Sequence, residues 1–388
     1  MTLSNNTLAR SPAAMGETLS EKADRLALDF ATRADRHDVE GSFVAENYAC
    51  LKDAGLIEAG VPAELGGGGA TVAELADMLR RLAHGCGATA LAFAMHTHQV
   101  AIPAWRWRNQ PPAKPVVEPL LRRIAAERIV MMSSGGSDWV GGAGRAEKVE
   151  GGYRIHATKA FASGAPLGAI LMTSAVAEEA GGPTVLHFGA PLNAPGVRVD
   201  EVWDAMGMRG TASQSVVFDG LFIPDDKIPL KRKAGEWHLI FQITANIAIP
   251  LIYAVYTGLA EAARDRAIVI ETARPEARRS PHLAGELEMR LHATRLAHHD
   301  MVAAGMEGNP SPESVNRVML GRALVVENAL ATASLAMDLA GGEGFQRRGG
   351  LERIFRDIQG ARYHPMRMDK AAAYAGTLAT GGDVSRIF

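Results

Sequence analysis

A histidine set against a proline, two histidines in an apolar run and two serine-bearing loops are the residues of this chain whose types and spacing could do chemistry. His364 stands in "RDIQGARYHPMRM" between Tyr363 and Pro365. Proline removes an amide donor and restricts the residue before it, so a helix from about Leu351 is expected to kink or stop near His364. The histidine is then either a helix-end residue or a catalytic group. His96 and His98 lie in "MHTHQV", in an apolar stretch that runs on to Trp105 and Trp107. Residues two apart on a helix do not face alike, which argues against one metal held by both. Each is a buried structural ring or a general acid or hydrogen-bond donor in a cleft. In "LHATRLAHHD", His298, His299 and Asp300 are expected on a solvated helix face.

The loop "SSGGSDW" sets Ser133 and Ser134 before two glycines, an aspartate and Trp139. It can offer hydroxyls and backbone amides to the polar edge of an aromatic cofactor, with the indole beside it. In "KAFASG", Phe161 and Ser163 are two apart, and strand geometry places them on one side. One could pack on a ring while the other bonds its edge. No HExxH, GxGxxG after a first strand, or Walker sequence is present, so zinc-protease, Rossmann and P-loop chemistry have no support and no metal is expected.

Three regions must position these groups. Helical periodicity runs through residues 1–127, as in "ATVAELADMLRRLA". Residues 128–230 change to short β-prone runs broken by glycine, proline and aspartate. Helical pattern returns over 231–388 and contains "LIFQITANIAIPLIYAVYTGLA", a run read as a buried helix and not a membrane span because Gln242, Thr244, Asn246 and Pro250 interrupt it. The expected fold is mainly α with a central β domain, and a cofactor cleft where the three regions meet. With 41 basic and 43 acidic residues the net charge is -2, which gives no general attraction to nucleic acid or anionic membrane. Lys231, Arg232 and Lys233 read as a solvated loop. Two cysteines without a CxxC point to a reducing, cytoplasmic setting.

"GMRGTAS", "GGSDW" before "GGYRIHATKAFASG", "AGGEGF" and "RIFRDIQGARYH", in that order along nearly the whole chain, resemble the acyl-CoA dehydrogenase superfamily of flavoproteins. The resemblance implies an N-terminal helical domain, a β domain, a C-terminal four-helix bundle, and a homotetramer with flavin at subunit boundaries. It places Ser133 or Ser134 at the pyrimidine side of the flavin, Phe161 against the ring and Ser163 at its edge. Gly341 and Gly342 would approach the dinucleotide part of FAD bound mainly by a neighbouring subunit; Asp338 stands where the family usually has glutamine.

The largest departure concerns the base. Ordinary members end this motif in Tyr-Glu-Gly-Thr, and the glutamate abstracts an α-proton; here His364 takes the tyrosine position and Pro365 the glutamate position. The alternative site, in the helix opening the last domain, holds Ala248 and Ile249. The dibenzothiophene and sulfone monooxygenase-like branch instead carries histidines matching His364 and the region of His96 and His98, and a serine matching Ser163. That likeness implies reduced FMN, or FAD, delivered by a separate reductase, a flavin C4a-(hydro)peroxide, and oxidation of a small organic substrate such as a sulfur or nitrogen compound. The runner-up expectation is an acyl-CoA dehydrogenase with a non-standard base, followed by a catalytically silent flavoprotein.

Overall fold

Helix starts are written locally. Thr18 and Thr71 each accept from the backbone N–H three residues on, while Glu21 and Glu74 bond back to the cap residue. In the computed structural model, which describes residues 16–134 and 140–387, the first region forms α1 (Leu19–Ala31), α2 (Ala34–Glu40), α3 (Ala45–Asp53), α4 (Val72–Gly85), α5 (Gly87–Asn109) and α6 (Lys114–Glu127).

The middle region is a mixed sheet: β1 (Met131–Ser133), β2 (Arg145–Val149), β3 (Gly152–Ala162), β4 (Ile170–Glu179), β5 (Gly182–Pro191), β6 (Val197–Asp200), β7 (Gln214–Pro224) and β8 (Leu230–Lys233). Their order is β6-β7-β3-β2-β4-β5-β8, and β1 pairs parallel to β4. Its core includes Phe188, Phe218, Leu171 and Ile155. The run Lys231 to Lys233, expected as a solvated loop, is instead the edge strand β8, and Arg232 is buried with its guanidinium over the Phe241 ring.

The last region is α7 (Leu239–Ala273), α8 (Pro281–Met306), α9 (Pro312–Ala340), α10 (Leu351–Ile358) and α11 (Met368–Ala379). Helices α7 and α9 are each long and apolar enough to cross a membrane, but 78% of the most apolar window of α7 is buried against α4, α5, α8 and α9. Gly258 permits that packing, since a Cβ there would stand 2.1 Å from the Arg80 carbonyl of α4. His298, expected on a solvated face, is buried; its Nε2 bonds the Pro250 carbonyl across the α7–α8 contact, whereas Asp300 pairs with Arg317 as a partly exposed charge would.

The α–β–α order read from the sequence is the order observed. The first and last regions are locked together by ion pairs, Arg353 with Asp35 and Arg356 with Asp38. The helix expected to reach His364 stops at Ile358 and continues as a 3₁₀ turn, Gln359–Arg362. Tyr256 packs against Gly360 of that turn, where a Cβ would lie 2.8 Å from the phenol oxygen.

Candidate active site

Where α7, α9 and the segment after α10 meet, His364 is held from two sides. Its Nε2 lies 2.5 Å from the hydroxyl of Tyr256 on α7. Its carbonyl accepts from Nη2 of Arg322 on α9 at 2.8 Å. Arg322 is fully buried, has no ion-pair partner among the described residues, and lies over the ring of Tyr253. Burial, then the Arg322 charge and the neighbourhood of His98, push the His364 pKa down to about 4. The ring is therefore neutral at pH 7. The Tyr256 phenol is buried, its pKa is raised, and it has no other acceptor among the described residues, so it donates to Nε2. The imidazole proton then resides on Nδ1 and can be donated elsewhere.

His96 and His98, two residues apart, are used differently. His96 is saturated by backbone: Nε2 donates to the Ile57 carbonyl at 2.8 Å and Nδ1 accepts from the Met131 N–H at 2.9 Å, with the ring stacked on Phe93. It ties α5 to β1 and has no nitrogen left for a ligand. His98 donates from Nδ1 to the Ala94 carbonyl of its own helix, while Nε2 faces the Gln99 amide at 3.3 Å. Burial holds its pKa near 4. A charge on His98 would disfavour one on His364, and of the two histidines it is His98 that has this influence.

Ser163 is buried and heads a hydroxyl chain: it bonds Ser213 at 2.8 Å, and Ser213 bonds Thr211 at 2.7 Å. Phe161 does not share its side. The β3–β7 register shifts after Lys159, Phe161 adopts a left-handed φ of 59°, and its ring is 71% exposed with the edge of Trp203 against it. Strict alternation fails because the left-handed residue rotates the chain at the strand end. Behind Gly164, the Tyr48 hydroxyl is buried without a partner among the described residues. Ser133 touches Met95 of α5, and Ser134 donates to Thr173 on β4. Trp139 lies outside the described residues. Gly341 and Gly342 are exposed at the end of α9, nineteen residues beyond Arg322 and thus about 28 Å along the helix. One chain does not bring these glycines to His364.

The segment "GMRGTAS" joins the two halves of the site. The Met208 N–H donates to Asp357, whose carboxyl is pushed up to about 6 mainly by burial. Gly207 lies so close to α10 that a Cβ would be 2.3 Å from the Arg356 carbonyl. Sequence reading missed Tyr256, Arg322 and Tyr48. Only Arg322, a lone cation on an apolar helix face, left a trace in the pattern.

Three family models match in sequence: the acyl-CoA dehydrogenase N-terminal domain over residues 16–112, the middle domain over 133–221 and the C-terminal domain over 250–368. The chain belongs to the acyl-CoA dehydrogenase superfamily. It is similar to the amino sugar nitrososynthase DnmZ of Streptomyces peucetius, 27% identical with 98% of this chain and 97% of that one covered. A dibenzothiophene monooxygenase of Rhodococcus erythropolis is 26% identical, with 91% and 89% covered. Among solved structures, KijD3 in complex with FMN and a dTDP-linked amino keto sugar superposes with a TM-score of 0.84 at 25% identity, covering 96% of this chain and 98% of that one.

Proposed function

We propose that this protein is a reduced-flavin monooxygenase, using FMN to oxidise a small organic substrate at nitrogen or sulfur. The carrying observation is that the site offers neutral hydrogen-bond donors and, among the described residues, no free carboxylate base. Pro365 occupies the position of the family's glutamate. Asp357 is buried and spent on the Met208 N–H beside Arg353, and Glu261 is clamped between Arg80 and Arg295. A dehydrogenase needs a poised base to remove the α-proton, a contribution of roughly 10²–10⁴ in rate.

The residues fit a flavin ring. Phe161 presents an exposed aromatic face, Ser163 ends a hydroxyl chain, and the orphaned Tyr48 hydroxyl lies behind Gly164. Reduced flavin, when bound, supplies the electrons that activate dioxygen for transfer of one oxygen atom to the substrate. The protein's part is to hold Nδ1–H of His364 as a donor, keep His98 neutral, and exclude water. The FMN-bound relative and the amino sugar and dibenzothiophene enzymes support this reading. A separate flavin reductase and a cytoplasmic setting, with Cys50 and Cys86 unpaired, belong to the same proposal.

The test mixes FMN-loaded, reduced protein with oxygen and measures free hydrogen peroxide, in wild type and His364→Ala. The variant is expected to fold and to release peroxide about tenfold faster, the loss of one donor in a dry site. Unchanged release would remove His364 from the chemistry. Rapid bleaching of bound oxidised flavin by an acyl-CoA would replace the proposal with the dehydrogenase reading.

A further inference from the structure

Between α5, α6, β4, β5 and the start of α7 the chain encloses a cleft of about 260 Å³. It abuts the candidate active site, because Gln99 lines it while touching His98, and Ser134 lines it while bonded to Thr173. Its walls are largely apolar, among them Ile102, Leu120 and Phe241. No aspartate or glutamate lines it among the described residues.

One cation does. Arg106, half-buried, lines the cleft and bonds through Nε to Gln110 at 3.1 Å, but it enters no ion pair among the described residues. Gln99, Ile102, Pro103 and Arg106 fall at i, i+3, i+4 and i+7, so one face of α5 forms a wall running from the active site to the guanidinium. Seven residues of helix separate Gln99 from Arg106, about 10 Å along the axis. Opposite, His187 lines the cleft and accepts from Nε of Arg232 on its Nε2. Burial, then the charges of Arg232 and Arg106, lower the pKa of His238. An apolar slot whose guanidinium meets no carboxylate among the described residues is poorly arranged for a neutral hydrocarbon, since a half-desolvated cation is unfavourable unless an anion meets it.

Resting on the monooxygenase reading, we propose that Arg106 is the specificity-determining residue of the substrate cleft: it binds an anionic head group, a carboxylate, sulfonate or phosphate, on a substrate whose apolar body lies along α5 and whose oxidised end reaches Gln99 and His98. Flavin also carries a phosphate, so the test must separate the two sources of anion. Binding of benzoate and of its neutral isostere benzamide is measured by titration calorimetry on FMN-loaded wild type, Arg106→Met and Arg106→Lys, alongside binding of FMN and riboflavin to each flavin-free protein. The wild type is expected to prefer benzoate by about tenfold or more. Arg106→Met should lose that preference with benzamide binding unchanged, Arg106→Lys should retain part of it, and the FMN-to-riboflavin ratio should not move. Equal binding of acid and amide by the wild type, binding of neither at millimolar concentration, or retained preference in Arg106→Met would overturn the proposal. A fall in the FMN-to-riboflavin ratio in Arg106→Met would also overturn it, by assigning Arg106 to the flavin phosphate. Failure of FMN itself to bind any of the proteins would count against the flavin reading instead.

Discussion

A neutral imidazole is useful as a donor only if its proton is on the outward nitrogen, and in this protein a phenol makes that choice. Tyr256 donates to Nε2 of His364, and Arg322 pins the backbone of the same residue. Tyr256 is thus a positioning residue. Replacing it by phenylalanine removes one part-buried hydrogen bond and leaves Nε2 without that donor, a loss of about 1 kcal/mol in stability. The two tautomers of His364 should then both be populated, visible as a change in the ¹⁵N shifts of its ring, and peroxide release from reduced, FMN-loaded protein should rise. Melting temperature falling with the ¹⁵N shifts and peroxide yield unchanged would make the bond purely structural.

At the scale of elements, the site depends on the loop between β6 and β7 lying directly on α10. Gly207 makes that approach, with its Cα facing the Arg356 carbonyl. Gly207→Ala must displace either the loop or α10, an overpacking cost of about 1–3 kcal/mol. Because Met208, Thr211 and Ser213 follow in the same loop, flavin affinity should fall as well. Urea unfolding and flavin titration together check this, and wild-type values for both would show that the loop tolerates the shift. Helices α8 and α9 also present Met289, Leu296, Leu320 and Leu324 to solvent, each about half exposed or more. We propose that this face contacts further copies of the chain, with a tetramer as the expected assembly. Leu320→Glu with Leu324→Glu should shift the sedimentation coefficient towards the monomer, and an unchanged coefficient would move the interface elsewhere.

For the whole molecule, pH acts through buried histidines. The buried His96, His98 and His298 and the half-buried His364 are each pushed by desolvation to about 4. Unfolded, each takes a proton near pH 6.5. Their contribution to stability is therefore complete above about pH 6.5 and is lost as pH falls towards 4, by an amount on the order of 3 kcal/mol per fully buried ring. Asp357 has the opposite sign: its carboxyl, raised to about 6, favours the fold at low pH and weakens it as pH rises through that value. One carboxyl offsets part of what four histidines lose. Denaturant midpoints should consequently fall steeply from pH 6.5 to 4.5, and a flat profile would mean that these rings protonate without unfolding.

The sequence by itself determined the order of helical and sheet regions, because hydrophobic periodicity and turn residues are local signals read within a few residues of each other. It also determined that Pro365 can supply no base, which is a property of the residue type. Alternation misplaced Phe161 relative to Ser163, since the left-handed turn at Phe161 leaves no mark in an apolar-polar pattern. Tertiary structure alone decided how two nearly adjacent histidines are used: His96 is consumed by the carbonyl of Ile57 and the amide of Met131, while His98 faces the Gln99 amide. It likewise decided that Tyr256, 108 residues away, meets His364. Hydrogen-bond partners fixed by packing between distant segments depend on which helix faces are buried against each other, and no single stretch of this chain carries that information.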